Sequence, residues 1–245
     1  MISRKKIFSA FLFIAVMLSV TSCEKENLFD CFKSTGNIVT ERRSIESFTE
    51  VVVYDNVNVI FVQDDTCFLD VNAGENLLPL IGTEMNDGKL SVSNRNKCNW
   101  VRDYSIPIIV YAHTPRLRRV ITYSSGRITS QGKLQCDTIE ADNRGNGDIE
   151  LDVCALEVYS KLVMGDNIFR GQADYVYVFN TSIGFAICSG LTAKWATIIN
   201  KGNGNSFVNV SDDLDAYIES SGNIFYSGNP VIHKSVSGTG RLIHQ

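Results

Sequence analysis

The sequence predicts an all-β fold, a right-handed parallel β-helix, and three observations carry the prediction. One local phrase recurs seven times in the second half: Gly126-Arg-Ile, Gly147-Asp-Ile, Gly165-Asp-Asn-Ile, Gly184-Phe-Ala, Gly204-Asn-Ser-Phe, Gly222-Asn-Ile and Gly240-Arg-Leu. The intervals between the glycines are 21, 18, 19, 20, 18 and 18 residues, a period that belongs to a solenoid of short strands and glycine turns. Apolar residues keep columns against that period. Ile128, Ile149, Ile168, Ala186, Phe207, Ile224 and Leu242 follow the glycines; Ile139, Val176, Ala196, Leu214 and Ile232 form a second column, and Ala141, Val178, Ile198 and Ala216 a third. Leu156 and Val158 fit these columns with a one-residue slip. Finally, apolar and polar residues alternate within each segment, the strand period rather than the helix period.

One such coil cannot bury its own apolar row. Stacked coils can, because each inward column becomes a ladder and each coil satisfies the backbone groups of the next at a spacing of about 4.8 Å. Glycines and asparagines, among them Asn143, Asn180, Asn200, Asn203 and Asn223, are expected at corners that need positive φ. The alternative is an antiparallel sandwich with hairpins about every ten residues, which would not require the columns to keep register.

From the N-terminus, residues 1–22 read as a lipoprotein signal peptide. Arg4, Lys5 and Lys6 precede an apolar run from Ile7 to Val20, too short to span a bilayer comfortably as a mature helix. The run ends in Val20-Thr21-Ser22-Cys23, which resembles a bacterial lipobox and makes Cys23 the lipidated first residue of the mature chain. The ordinary reading is a signal peptide with a chance cysteine. The lipid reading implies an exported, lipid-anchored protein, at the outer membrane or cell surface rather than the inner membrane, touching the bilayer through the acyl chains alone. Without the leader the chain has 20 basic against 27 acidic residues, which argues against nucleic acid as a partner.

Residues 23–37 read as a tether, and 38–245 as one β-helix domain, with irregular coils over 38–123 and regular glycine-marked repeats over 124–245. In the irregular part, runs such as Val57-Asn-Val-Ile-Phe-Val62 are rich in β-branched residues, and Glu75–Ile81 is the one plausible helical turn, kept short by Pro79. This half is expected to cap the solenoid, because an open parallel edge templates aggregation. In the last coil Lys234 stands where the third column is apolar, which suggests that this coil opens to solvent.

Gly36-Asn-Ile-Val-Thr-Glu-Arg-Arg, Phe48-Thr-Glu-Val-Val-Val, Glu75-Asn-Leu-Leu, Asp87-Gly-Lys-Leu, Ser221-Gly-Asn-Ile and Ser237-Gly-Thr-Gly-Arg-Leu, in that order, resemble the "putative auto-transporter adhesin, head GIN domain" family. The resemblance covers most of 36–245 and implies a pectate-lyase-like β-helix, an extracytoplasmic location and a role in adhesion. It implies no catalytic residues. The Gly184-Phe-Ala copy lacks the polar residue after glycine, so its coil is expected to be locally deformed.

Many β-helices act on polysaccharides, and a hydrolase needs convergent carboxylates. Asp148 and Asp166 hold nearly the same place in adjacent coils, where they can stack about 5 Å apart; an isolated acidic pair is more often a solvated face. A lyase would pair a calcium cluster with an arginine or lysine base, but no aspartate cluster is tied by spacing to Arg127, Arg144 or Arg170. The histidines, His113, His233 and His244, are scattered, and no nucleotide-binding, nucleophile-elbow or zinc-protease motif occurs. Cys31, Cys67, Cys98, Cys136, Cys154 and Cys188 form no C-x-x-C pair. Cys67 with Cys98, or either with Cys31, can be bridged, while the last three read as small apolar groups within strands. No catalytic residue, metal or cofactor is assigned.

That leaves binding. A solenoid presents flat, ridged faces suited to extended glycans, to surface proteins or to another copy of itself. Tyr159, Tyr175, Tyr177, Tyr217, Tyr226, Phe169, Phe179 and Phe225 alternate with inward positions, so some face outward to meet sugars. Trp195, beside the column residue Ala196, is the strongest candidate, with Tyr175 and Tyr177 next. The expected function is a non-catalytic, adhesin-like envelope lipoprotein. A polysaccharide lyase or hydrolase on a β-helix scaffold and a self-associating envelope structural protein are the alternatives.

Overall fold

A computed structural model describes residues 34–97 and 107–245. The signal peptide, Cys23, Cys31 and Cys98 lie outside the described residues, so the lipidation and disulfide readings find no test there. The nearly all-β chain winds into a β-solenoid of about seven turns.

The irregular half contributes β1 (Ile38–Ser44), β2 (Glu50–Val53), β3 (Asn58–Gln63), β4 (Phe68–Gly74), β5 (Ile81–Asn86), β6 (Lys89–Asn94), β7 (Ile109–Thr114) and β8 (Arg119–Thr122). A 3-10 turn, Leu78–Leu80, stands at Pro79. The regular half contributes β9 (Ile128–Asn143), β10 (Ile149–Leu162), β11 (Asn167–Asn180), β12 (Ala186–Asn200) and β13 (Ser206–Ile218), each parallel to the next. The chain ends in β14 (Ile224–Ser227) and β15 (Val231–Val236), both laid on β13, and β16 (Leu242–His244), laid on β14.

The first coils do not stack in chain order. β2 lies between β6 and β8, and β3 between β7 and β9, all parallel. The β2–β3 layer is thus clasped between two layers that come later in the chain. Antiparallel hairpins close this end: β4 pairs with β1 and β7, and β5 with β6. Leu69, Val71, Val59, Phe61, Val110 and Val120 are fully buried beneath them.

The glycine phrase has a different cause from the one its composition suggests. None of the seven phrase glycines has positive φ; Gly132, Gly171 and Gly228, outside the phrase, do. The phrase glycines stack on one another. A Cβ on Gly147 would meet the Gly126 carbonyl oxygen at 2.0 Å, one on Gly165 the Gly147 oxygen at 2.1 Å, and one on Gly240 the Gly222 oxygen at 2.1 Å. The repeat therefore records close approach between coils rather than corner conformation.

The inward columns also differ in detail. The first runs Ile128, Ile149, Asn167, Ala186, Ser206, Ile224, Leu242. In the two copies with an extra polar residue, Asn167 and Ser206 turn inward and are fully buried, while Ile168 and Phe207 face out. Asn167 Nδ2 finds partners in the Ser160 hydroxyl (3.0 Å) and the Lys161 carbonyl (3.1 Å). Val158 is the true member of the second column and Ser160 of the third; Leu156 lies outside both and is 54% exposed. Phe169, one of the aromatics considered for an outward face, is completely buried.

Asparagines reinforce the corners from inside. Thr122, Asn143, Leu162, Asn180, Asn200 and Ile218 are successive rungs of one column. Asn200 accepts the Gly202 amide (3.0 Å) and donates to the Gly204 carbonyl (2.9 Å); Asn180 grips its own corner in the same way through Ser182 and Gly184. Such bonds satisfy turn groups that would otherwise be buried without partners. The coil that begins at Gly184 is irregular, as expected, but its deformation lies further on. Register shifts place bulges between Cys188 and Thr192.

Candidate functional site

Wherever β10 to β13 expose a face, in-register pairing aligns side chains along the solenoid axis. One outward row reads Thr138, Glu157, Tyr175, Trp195, Asp213, Val231, and the next outward row on that face Glu140, Tyr159, Tyr177, Thr197, Asp215, His233. The three binding candidates, Trp195, Tyr175 and Tyr177, therefore fall on one face. Trp195 is 44% exposed, and the two tyrosines are half-buried.

Tyr159 joins them. Its ring lies 5.8 Å from Tyr177, and 6.3 Å from Tyr175 in an edge-on arrangement. Its hydroxyl donates to Glu157 at 3.1 Å, and burial, aided by Glu157, pushes its ionisation above the usual phenol range. Lys194 stands 5.8 Å from the Trp195 ring and pairs with Asp174 at 2.7 Å. This fixes the rim beside the indole.

These residues border a groove of about 660 Å³, lined by Leu156, Glu157, Asp174, Tyr175, Trp195 and Asp213 among others. A second groove of about 670 Å³, past Arg116, Cys136 and Cys154, shares Leu156 with it. Leu156 is the lining residue the column reading misplaces inside; the polar Glu157 at the counted column position was the signal of the slip. The first groove is acidic, since Asp213 and Asp215 join Glu157 and Asp174, while Lys194 and His233 are the basic groups at its edge. Tyr177 shares a row with the lining residues Thr197, Asp215 and His233 but does not itself line the groove.

The pair Asp148 and Asp166 lies elsewhere, at the glycine corners, and acts as a bracket. The Asp166 amide donates to Asp148 Oδ1 (3.0 Å), and the Phe185 amide to Asp166 Oδ1 (2.8 Å). Asn205 and Asn223 repeat the contact, accepting the amides of Asn223 and Arg241 at 2.8 Å each. The ladder skips Phe185, which has no acceptor. Burial, with a smaller contribution from Asp148, raises the Asp166 carboxyl above the usual range. The arginines weighed as lyase bases are engaged too: Arg127 and Arg170 both pair with Glu150, and Arg144 pairs with Asp142 at 2.7 Å. Among the described residues no three His, Cys, Asp or Glu side chains are grouped to hold a metal ion.

A second exposed feature escaped the sequence reading. Ile168, Ile187, Phe207, Phe225 and Ile243 form an outward apolar ladder, with Phe207 and Phe225 stacked at 4.8 Å. The two-then-three spacing after the glycine assigned Ile168 and Phe207 to the wrong face.

The sequence profile described as "Putative auto-transporter adhesin, head GIN domain" matches residues 47–230. The chain belongs to this family. Solved structures share the fold. One, titled a putative adhesin from Bacteroides fragilis, superposes with a TM-score of 0.79 at 18% identity, covering 85% of this chain and 97% of that one. A putative adhesin from Parabacteroides distasonis gives 0.64 at 20% identity, covering 86% and 98%. A structure from the same organism titled a putative lipid binding protein gives 0.65 at 20%, with the same coverage. At these identities the likeness establishes the fold alone. No curated protein matches the chain.

Proposed function

We propose that this head GIN protein is a non-catalytic, adhesin-like binding module of the bacterial envelope. In this reading it is exported, held by an acyl group on Cys23, and engages an extended ligand along the Trp195–Tyr175 face. The observation that carries the reading is the alignment of Tyr175 and Trp195 along a groove of about 660 Å³, with Tyr159 and Tyr177 in the row beside them. Aromatic faces beside carboxylates suit sugars, whose C–H faces stack on rings while their hydroxyls donate to acidic oxygens. The family name and the titles of its structural neighbours support a surface role. Among the described residues, no helix is long and apolar enough to cross a membrane.

The charge of the groove narrows the ligand class. Glu157, Asp174, Asp213 and Asp215 repel sulfated or uronic acid chains and favour neutral or amino-bearing ones. The test is an array of neutral, amino and acidic glycans together with matrix proteins, with reducing-end and unsaturated-product assays in parallel. Saturable binding of neutral or amino glycans without turnover supports the reading. Turnover abolished by substitution of the groove carboxylates would overturn it in favour of a glycan-active enzyme.

A further inference from the structure

The two ends of the solenoid are built differently, and they match one another. At the C-terminal end β15 pairs with β13 alone, and its other edge is free among the described residues. Its inward row is Ile232, Lys234 and Val236, standing over the fully buried Leu214, Ala216 and Ile218. All six residues of β15 are exposed, Val231 at 60% and Val236 at 47%. At the N-terminal end β1 pairs, among the described residues, with β4 alone. Its row over Leu69, Val71 and Ala73 is Val39, Glu41 and Arg43, with Arg43 bonded to Glu41 at 2.7 Å and to the Ile81 carbonyl at 2.7 Å.

We infer that the C-terminal edge of one molecule docks on the N-terminal edge of a second copy, β15 against β1, to form head-to-tail chains. Strand sense permits the joint. β1 is antiparallel to β4, which is antiparallel to β7, so β1 runs in the same sense as the parallel coils. Coaxial stacking therefore continues the parallel ladder across the junction. The matching register sets Val39 against Ile232, Glu41 against Lys234 and Arg43 against Val236. It covers exposed apolar side chains at both ends and joins one acid to one base across the joint.

Charge also disfavours the symmetric alternatives that centre the same rows on themselves. An antiparallel β15–β15 dimer that pairs Ile232 with Val236 sets Lys234 against Lys234. A β1–β1 dimer that pairs Val39 with Arg43 sets Glu41 against Glu41. Like charges directly opposite one another destabilise strand pairs. Each end thus repels its own kind and accepts the other, and a heterologous contact of this sort yields open chains rather than closed dimers. The Trp195 groove lies on the side of the solenoid and shares one residue, His233, with β15.

The test is sedimentation velocity over a concentration series, using the chain from Glu24 onward, which carries every described residue and cannot be acylated. Wild type is expected to form a ladder of species beyond the dimer. Lys234→Glu and Glu41→Lys should each shift that association about tenfold to higher concentration. Mixing the two variants, or combining them in one chain, should restore it, while circular dichroism checks that each variant remains folded. A wild-type chain that stays monomeric throughout, a closed dimer, or association indifferent to both substitutions would overturn the inference.

Discussion

Gly204 stands directly on Gly184, so close that a Cβ on Gly204 would lie 1.9 Å from the Gly184 carbonyl oxygen. No side-chain rotation relieves a clash with backbone one coil away. Gly204→Ala is therefore expected to cost about 3 kcal/mol through forced separation of coils. Gly190→Ala is the control, because a Cβ there meets only the flexible Arg170 side chain, at 3.1 Å. Urea unfolding midpoints should fall clearly for the first and little for the second.

Asn200 makes a complementary prediction. Its rung stands between Asn180 and Ile218, and the column already takes leucine at Leu162, so Asn200→Leu keeps the column filled. It also strips the Gly202 amide of its acceptor and removes the shorter of two amide donors from the Gly204 carbonyl, which keeps Asn180 at 3.3 Å. The expected result is a loss of about 2 kcal/mol despite the gain in hydrophobicity, read from the same unfolding curves.

Asp166 should behave in the opposite way. Burial, then Asp148, raises its folded pKa. A raised carboxyl contributes stability that is fully present below its unfolded value, near pH 4, and lost as pH rises through the folded value. At neutral pH the ionised group is thus a liability. Asp166→Asn retains an acceptor for the Phe185 amide, as Asn205 and Asn223 do for their own partners. The variant should melt higher than wild type at pH 7, and the difference should vanish below about pH 4.

Much of the regular half was legible because each coil repeats the same burial problem at the same spacing. The columns through Ile139, Ala141, Val176 and Val178 needed only the period. The errors arose where the interior is polar. Asn167 turns inward where its amide finds the Ser160 hydroxyl and Lys161 carbonyl, and a hydrophobicity pattern cannot register that exchange; Ser206 takes the same place as a small side chain. The clasped β2–β3 layer was invisible for another reason. Strand composition fixes that Val51 and Val59 are buried, but their partners come from β6, β7, β8 and β9, far along the chain. At the candidate site, the aromatics were legible as outward alternates. The groove was not, because it depends on Leu156 projecting between coils.

Trp195→Ala separates binding from folding. The indole is 44% exposed and stands outside the buried core, so the change should alter stability by no more than about 1 kcal/mol. Ligand affinity should fall by roughly thirtyfold or more if the indole is a central anchor, measured by calorimetry alongside the unfolding curve.

The central claim, that the Trp195 face is the binding surface, is tested most directly by the emission of Trp195 itself. The chain has two tryptophans, Trp100 and Trp195, so a Trp100→Phe variant reports on the face alone. Titration with a glycan that binds on the array should shift this emission to shorter wavelength and saturate with the affinity measured independently, with no product formed. Full binding with unchanged Trp195 emission would place the ligand elsewhere and contradict the account.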